Sequence, residues 1–282
     1  MQLVEHGMIP DFVIHFVIRF IVARRAAVLG KRSQAEVDKY ELDQEANLII
    51  KNQQRRPSLM SHSESHELPA EYCHIVLGKQ LKDSCCLFPD PELCLDGAED
   101  SMLELTCQRA QLSDGLANVQ VINANNDAFG DSTQYDRVLV VERLGDPQNY
   151  AAILQQIGSW LKADGCCFAQ ETAIDCWILS HMQPGSTLPS MQLLEHFQDS
   201  VVLEKQWYIS GQNYSKTVKA WLRHHDQQRK AILCLLQESY GASESHKLYA
   251  KQRLAYMIQW CHGKSVLYQP DCTSRYKNIS QA

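Results

Sequence analysis

The chain has 282 residues, of which 45% are hydrophobic, and it carries a formal net charge of −6. That length is sufficient to bury one complete core together with an additional segment. Binding to nucleic acid requires a basic face that neutralises phosphates, so the negative charge argues against nucleic acid as the main partner.

The eleven cysteines do not show the spacing of a disulfide-rich scaffold, and no secretory leader is predicted before them. Two pairs are adjacent, Cys85-Cys86 and Cys166-Cys167. No Cys-x-x-Cys motif has the matching second half that zinc requires, so no metal site is predicted. We interpret the cysteines as reduced thiols of a cytoplasmic protein, where free cysteine often serves as a small buried hydrophobic residue.

A strongly apolar segment, Asp11–Leu29, lies near the start of the chain. A transmembrane helix needs about 20 mostly apolar residues, and here His15, Arg19 and Arg24 interrupt the run. His15, Arg19 and Ala23 are four residues apart and therefore share one helix face. The pattern predicts an amphipathic helix. Such a helix either docks on its own domain or lies at a membrane surface.

Composition divides the chain into two parts. Residues 30–65 are polar and read as a loosely held helix and a linker, whereas the composition becomes globular from Glu67 onward. We therefore expect an N-terminal helical arm and linker at residues 1–60 and one globular domain at residues 61–282.

Strands and helices are predicted to alternate along the globular part. Apolar and β-branched runs predict strands at Val119–Ala124, Arg137–Glu142, Cys166–Gln170, Val201–Ile209 and Ser265–Gln269. Apolar periodicity predicts helices at Gly97–Ala110, Asn149–Leu161, Ser190–Gln198, Ser215–Tyr240 and Ser243–Trp260. A glycine-ended turn is predicted at Lys162–Gly165, between a helix and a strand. This alternation is typical of an α/β fold with a largely parallel sheet.

Three stretches carry a more specific signal. Residues 67–115 contain E-L-P-A-E-Y, L-K-D-S-C-C-L-F and L-D-G-A-E; residues 135–165 contain Y-D-R-V and W-L-K; residues 188–222 contain L-P-S, F-Q-D and S-G-Q-N-Y. In order and spacing, these motifs closely resemble the cyclopropane-fatty-acid synthase family of S-adenosylmethionine-dependent methyltransferases. Within that family they are most similar to the branch of plant coclaurine-type N-methyltransferases.

The resemblance implies a class I methyltransferase sheet, which is Rossmann-like, with S-adenosylmethionine as the cofactor. It also implies methyl or methylene transfer to a lipid double bond or to a small amine. Ser84 matches a cofactor contact of the family, and Asn125 stands where the family carries an acid beside the adenine. Cys86 and Tyr214 match positions that line the reaction centre, and Cys261 matches a cysteine near the family's C-terminus.

The glycine-rich cofactor loop of the family has no counterpart in this chain. Asp114-Gly115, which should precede the first strand, runs directly into Leu116–Val119, which resembles the start of the third strand. A βαβ unit takes roughly 30 or more residues. The first strand, its helix and the second strand are therefore expected to be absent, which truncates the sheet and leaves edges to be paired anew.

Other family positions are also changed. Gly145-Asp146 stands where the family has a Glu-His pair, and Gln170 stands where its fifth strand ends in histidine. In the cyclopropane synthases, Glu and His at the Gly145 and Gln170 positions help to bind a bicarbonate that acts as general base. That role needs groups that orient the anion and share its proton. Gly145 can do neither, and Gln170 can only form a hydrogen bond.

Three interpretations follow from these losses. The chain is a working enzyme that transfers a methyl or methylene group, a non-catalytic relative that binds a lipid or a partner, or a truncated product of an active gene. The substitutions favour a methyltransferase family member with impaired or lost activity.

The adjacent pair His224-His225 is predicted to be solvated rather than ligating, because neighbouring residues do not share a helix face.

Overall fold

The computed structural model describes residues 10–29, 68–112, 133–141, 150–171, 197–263 and 271–278. In chain order its elements are α1 Asp11–Leu29, α2 Ala70–Val76, α3 Leu95–Ala110, β1 Tyr135–Val141, α4 Tyr150–Trp160, β2 Leu161–Glu171, β3 Val201–Ile209, α5 Gly211–Gln227, α6 Arg229–Tyr240, α7 Ala242–His262 and β4 Asp271–Asn278. The predicted α/β class is confirmed.

The described strands form one sheet in the order β1-β2-β4-β3. β1 and β2 are parallel, which places Val141 opposite Gln170. β4 is antiparallel to both of its neighbours and places Thr273 between Gln170 and Trp207. This part of the sheet is therefore mixed rather than largely parallel.

The strand β4 was not predicted. The sequence instead favours a strand at Ser265–Gln269, which lies outside the described residues. The segment D-C-T-S-R-Y-K-N has no apolar run, yet Thr273, Ser274 and Tyr276 are buried. The strand is buried because it hydrogen-bonds along both edges, to β2 and to β3. Its place in the sheet overrides its weak local preference.

Two further predictions are corrected by the structure. The predicted helix Ser215–Tyr240 is two helices, α5 and α6, which are separated at Gln228, where ψ is 20°. The predicted turn Lys162–Gly165 falls inside β2, which begins at Leu161 directly after α4. It coincides with an irregularity of that strand, because β1 pairs with Leu161 and next with Cys166. The strand Val119–Ala124 lies outside the described residues. So does most of the helix Ser190–Gln198, whose last two residues are described and are not helical.

The buried apolar side chains form two clusters. The larger cluster joins α1, α2, α3, α5, α6 and α7 with the loop before α3; its members include Ile14, Val76, Cys86, Met102, Val218, Leu236 and Cys261. The smaller cluster packs α4 against one face of the sheet; its members include Tyr150, Leu154, Ile157, Cys167, Val201 and Tyr276. The helical part and the sheet part of the fold therefore each have their own hydrophobic cluster.

Helix α1 is docked on the rest of the chain. Ile14 and Ile18 are each 9% exposed and belong to the larger cluster, and the helix contacts α7. The first of the two alternatives for this segment is thus confirmed. None of the described helices combines the length and the apolar character needed to cross a bilayer.

The nine cysteines whose side chains the structure describes are free thiols. Both adjacent pairs, Cys85-Cys86 and Cys166-Cys167, are buried together with Cys261, as the interpretation of small buried hydrophobic residues predicts. The interpretation does not hold for three others, because Cys94, Cys107 and Cys234 are exposed.

We expect the variant Leu154→Ala to lower the free energy of unfolding by about 2–5 kcal/mol, because it opens a cavity between α4 and the sheet. Leu154 is 2% exposed in the smaller cluster. Urea denaturation followed by circular dichroism measures the change. The control Gln155→Ala alters an exposed residue of the same helix and should stay within about 0.5 kcal/mol of the wild type. Equal losses in both variants would show that α4 does not pack as described.

Candidate functional site

The loop that leads to Ser84 is held by a buried carboxylate. Glu99 on α3 is 0% exposed. Its carboxylate accepts hydrogen bonds from the backbone N–H groups of Gly78 at 3.0 Å, Gln80 at 2.7 Å and Lys82 at 3.3 Å. Hydrogen bonds to an ionised acceptor are stronger than neutral ones. Glu99 therefore fixes the backbone immediately before the residues that match the family's site.

Ser84 lies at the end of this loop and is 6% exposed. Its Oγ accepts a short hydrogen bond from Nζ of Lys82. The hydroxyl that matches a cofactor contact of the family is thus already engaged by a side chain two residues away.

Cys86 is tied to helix α5. Its backbone N–H donates to Oγ1 of Thr217 at 3.1 Å, and that hydroxyl donates to the carbonyl of Asn213 at 2.9 Å. Two residues later, the N–H of Phe88 donates to Oδ1 of Asn213 at 2.9 Å. These bonds hold the Cys86 segment against the helix that carries Tyr214.

The thiol of Cys86 is protonated at neutral pH. Burial raises the pKa of this thiol to about 12, against the opposing effects of Lys82 and of a hydrogen bond with Thr217. A thiol acts as a nucleophile or base only as the thiolate. Cys86 is therefore a neutral, buried side chain in this structure.

The structure brings the other candidate residues near the same region. Tyr214 in the first turn of α5 is 5% exposed, and Cys261 in the last turn of α7 is 9% exposed. The two helix ends meet, because Oγ of Ser215 donates to the carbonyl of Trp260 at 3.0 Å. Cys86, Tyr214 and Cys261 thus share the larger cluster. Asn125, the second candidate cofactor contact, lies outside the described residues.

Gln170 ends up buried at the carboxyl end of β2. It is 1% exposed, and its Nε2 has no hydrogen-bond partner within the described part of the chain. Its cross-strand neighbour Thr273 accepts a hydrogen bond from Arg109 at 2.6 Å. On the other side, the β1 residues Leu139 and Val141 are 42% and 39% exposed. The carboxyl end of β2, which matches the family's fifth strand, therefore carries a neutral amide. The neighbouring strand β1 carries half-exposed apolar side chains.

The residues present do not fit S-adenosylmethionine as this family holds it. Only 22 residues separate Leu112 from Tyr135, whereas a βαβ unit takes roughly 30 or more. The glycine-rich loop and the first two strands cannot be accommodated there. Ser84, one of the two residues that match cofactor contacts of the family, already accepts a hydrogen bond from Lys82.

One buried constellation was not predicted. His225 is 0% exposed rather than solvated. Its ring stacks on Tyr249 at 4.1 Å between centroids, and it meets the rings of Tyr72 and Tyr256 edge-on at 6.0 and 5.8 Å. The hydroxyls of Tyr72 and Tyr256 are 3.2 Å apart. The constellation joins α2, α5 and α7, and we interpret it as an anchor of the helical part.

The charges around His225 are arranged at the rim of this constellation. Asp226 forms a two-point ion pair with Arg253, at 2.6 and 2.9 Å. Neither ring nitrogen of His225 has a hydrogen-bond partner among the described residues, and Nδ1 lies 3.8 Å from Oδ1 of Asp226. Burial lowers the pKa of His225 more than Asp226 raises it. The spacing of Tyr249, Arg253 and Tyr256 at i, i+4 and i+7 is the sequence signal that could have revealed this face.

The neighbouring residue His224 was also expected to be solvated. It is only partly buried, but its Nδ1 lies 2.9 Å from the carbonyl oxygen of Val76 and forms a hydrogen bond with it. Both histidines therefore contribute to packing α5 against α2.

Comparison with known proteins found similar N-methyltransferases. No model of a known protein family matches the chain. It is 27% identical to (S)-coclaurine N-methyltransferase of Thalictrum flavum subsp. glaucum over 286 positions, covering 79% of this chain and 78% of that one. It is 25% identical to (S)-tetrahydroprotoberberine N-methyltransferase of Eschscholzia californica over 263 positions, covering 72% and 74%.

The solved structures that resemble the chain have the same fold. A crystal structure of coclaurine N-methyltransferase bound to N-methylheliamine and SAH has a TM-score of 0.82 at 24% identity and covers 98% of both chains. The cyclopropane synthase MmaA2 of Mycobacterium tuberculosis has a TM-score of 0.60 at 13% identity, covering 78% of this chain and 100% of that one. The predicted methyltransferase fold is confirmed.

The alignments with these relatives contain many positions at which this chain has no residue, and their total follows from the lengths and coverages. Because 79% of 282 residues is about 223, about 63 of the 286 positions aligned with the Thalictrum flavum coclaurine enzyme have no residue in this chain. For pavine N-methyltransferase of the same plant, 94% of 282 is about 265, which leaves about 67 of 332 positions empty. A total of this size is enough for at least one βαβ unit.

We expect Glu99→Gln to lower the free energy of unfolding by about 1.5–3 kcal/mol, because the loop loses its ionised hydrogen-bond acceptor. Urea denaturation is the measurement. The matched control Glu104→Gln changes an exposed carboxylate of the same helix, which is bonded only by Gln108 at 3.4 Å. A control that is as unstable as Glu99→Gln would show that charge on α3, and not the loop contact, is responsible.

The stability of the wild type should fall between pH 7.5 and 5.5, in part because of His225. Its native pKa lies below the ordinary value of 6.5, so the unfolded chain takes up the proton first as the pH falls. The variant His225→Phe keeps an aromatic ring and cannot titrate, so its free energy of unfolding should fall less over this range. Urea titrations at the two pH values test this, and equal slopes in both proteins would contradict it.

Proposed function

We propose that this chain, a relative of the plant coclaurine-type N-methyltransferases and the cyclopropane synthases, has lost or strongly impaired methyl transfer. One observation carries the proposal: 22 residues join Leu112 to Tyr135, where the family places its cofactor-binding strands. Without the glycine-rich loop, the backbone cannot approach the cofactor closely or offer it the N–H groups of a helix N-terminus. Orienting donor and acceptor can contribute up to about 7–11 kcal/mol, and that contribution is then forfeited.

The residues that match the reaction centre do not compensate for this loss. An amine accepts a methyl group through its neutral lone pair, so catalysis at neutral pH benefits from a group that removes a proton. The thiol of Cys86 holds its own proton because burial raises its pKa to about 12. Gln170 has an amide that does not titrate, and Gly145 has no side chain.

The helical part of the fold supports retention of an acceptor-binding role. Cys86, Tyr214 and Cys261 remain together in one buried cluster. The relatives are named for coclaurine and tetrahydroprotoberberine, so we take a small amine as the class of ligand. A protonated amine is a cation, and aromatic side chains bind cations through their ring faces.

A lipid double bond is the second acceptor class that the family implies, and none of the described contacts favours it. Peripheral membrane contact through residues 11–29 is a separate proposal that depends on α1 alone.

A truncated product of an active gene is the competing explanation. The total of about 63 positions without a residue in this chain favours it. Gly145, Asp146 and Gln170 are single substitutions outside the block expected to be lost, and a skipped segment does not account for them. A full-length transcript that restores a glycine-rich loop between Gly115 and Leu116 would support the truncated product over our proposal.

Calorimetric titration of S-adenosylmethionine into the folded chain tests the loss of cofactor affinity. We expect no binding tighter than about 100 μM, which corresponds to about −5.5 kcal/mol. Circular dichroism must show that the sample is folded. The coclaurine N-methyltransferase of Thalictrum flavum, titrated in parallel, is the positive control. Tighter binding, or an amine product heavier by one methyl group in the mass spectrum, would contradict the proposal.

The retained amine site is tested by titrating coclaurine without cofactor. We expect heat from the wild type and weaker binding by Tyr214→Phe, which removes a single hydroxyl from the buried cluster. Tyr208→Phe removes a hydroxyl from a side chain that is 62% exposed on β3 and should bind like the wild type. Absence of heat from the wild type would rule out the amine site while leaving the loss of methyl transfer intact.

A further inference from the structure

Helix α1 presents an apolar face that no other element of the described chain covers. Phe12, Phe16 and Phe20 are 73%, 70% and 57% exposed, and Ile21 and Val17 are 53% and 47% exposed. The three phenylalanines recur every four residues and form one stripe along the helix. Half of the large hydrophobic side chains that are exposed in the described part of the chain lie on this single helix.

The orientation of this face is fixed by the opposite side of the helix. At about 100° per residue, Ile14 and Ile18 lie roughly 200° and 240° around the axis from Phe12. Both are 9% exposed in the larger cluster. The helix is therefore held against the protein by the isoleucines while the phenylalanine stripe points away from it.

Two arginines flank the stripe. By the same angular spacing, Arg19 lies about 20° to one side of Phe12 and Arg24 about 40° beyond Phe20. Both are exposed. The sequence from Phe12 to Leu29 contains no aspartate or glutamate. An arginine at a membrane surface lays its alkyl stem on apolar material and extends its guanidinium to the lipid phosphates.

We propose that α1 holds the protein on the surface of a membrane that contains anionic lipid, with the phenylalanine stripe buried at the boundary between headgroups and acyl chains. Unlike a simple amphipathic helix, α1 is apolar on both sides, with its isoleucines against the protein and its phenylalanines outward. A helix that lies in the plane of the interface inserts its apolar face by about 5–10 Å. The lipid phosphates neutralise Arg19 and Arg24. The rest of the protein stays on the aqueous side, since the chain as a whole carries a net charge of −6.

A second copy of the chain is a poorer occupant of this face, for two reasons. The exposed fractions of the three phenylalanines sum to about two whole side chains, which is roughly 300–500 Å² of aromatic surface. A stable interface buries about 800 Å² per partner. In addition, a two-fold interface would desolvate Arg19 and Arg24, for which the sequence from Phe12 to Leu29 has no carboxylate, and unpaired buried charge is strongly destabilising.

Co-sedimentation of the full chain with vesicles tests this proposal. We expect the wild type to bind vesicles of phosphatidylcholine with phosphatidylserine, and to bind less well at high salt, because screening weakens the attraction of the arginines. The triple variant Phe12→Ser, Phe16→Ser, Phe20→Ser should reduce the partition coefficient by about tenfold or more. The variant Tyr208→Ser removes an exposed aromatic ring from β3 and should bind like the wild type.

The charge contribution is separated by a second variant. Arg19→Gln with Arg24→Gln should weaken binding to the vesicles that contain phosphatidylserine and should leave the residual binding to pure phosphatidylcholine unchanged. The variant Phe16→Trp, in vesicles of brominated lipid, should show additional fluorescence quenching relative to the wild type. Circular dichroism confirms that each variant is folded, which is expected because the altered side chains are exposed.

Two results would overturn the proposal. The first is a wild type that does not sediment with either vesicle, or a triple phenylalanine variant that binds as the wild type does. The second is a wild type that is dimeric without lipid by analytical ultracentrifugation, binds no vesicles and becomes monomeric in the triple variant. The latter would show that a second copy covers the stripe.

Discussion

A single buried carboxylate organises the region on which the family's chemistry depends. A charge in the interior is costly unless it is fully hydrogen-bonded, and Glu99 meets this condition by accepting three backbone N–H groups of one loop. The contact also explains Gly78. A Cβ at that position would lie 2.7 Å from the carboxylate, so a larger residue would displace it. The segment that continues to Ser84 and Cys86 is placed on α3 and α5 by these contacts.

The helical part and the sheet part of the fold differ in how many of the family's elements they retain. The helical part keeps a continuous buried cluster, with the tyrosines around His225 joining three helices. The sheet part keeps β1, β2, β4 and β3, but the chain before β1 is too short for the strands that bind the cofactor in relatives. On the edge strand β1, Leu139 and Val141 are partly exposed. On the adjacent strand β2, the buried Nε2 of Gln170 has no hydrogen-bond partner among the described residues.

The proposed loss of methyl transfer and the proposed membrane contact are physically independent. The first depends on the missing strands and on neutral side chains near Cys86, all of them in the methyltransferase-like domain. The second depends on α1, which adds two isoleucines to the core and exposes the rest of its apolar surface. A protein that keeps an amine site and a membrane-facing helix, without a functional cofactor site, would act by binding rather than by turnover.

The sequence by itself determined the elements whose local pattern agrees with their place in the fold. The strand Val201–Ile209 has the predicted bounds, and the helices α3, α4 and α7 were recognised because their apolar residues recur with helical spacing. Motifs around Ser84, Cys86 and Tyr214 were enough to identify the fold, because their order and spacing are unusual. The helix α1 was predicted as well, because its apolar run of 19 residues contains no proline or glycine.

Only the tertiary structure decided the remaining features. The strand β4 is polar in sequence and is a strand because β2 and β3 pair with both of its edges. His225 looks like a surface histidine beside His224, and it is buried because α2 and α7 close over it with tyrosines. In the sequence, Glu99 is one of several acidic residues of α3. Its role is visible only in the structure, where the loop of residues 78–82 folds onto its carboxylate. In each case the residue's role comes from partners distant in the chain, which a local pattern does not contain.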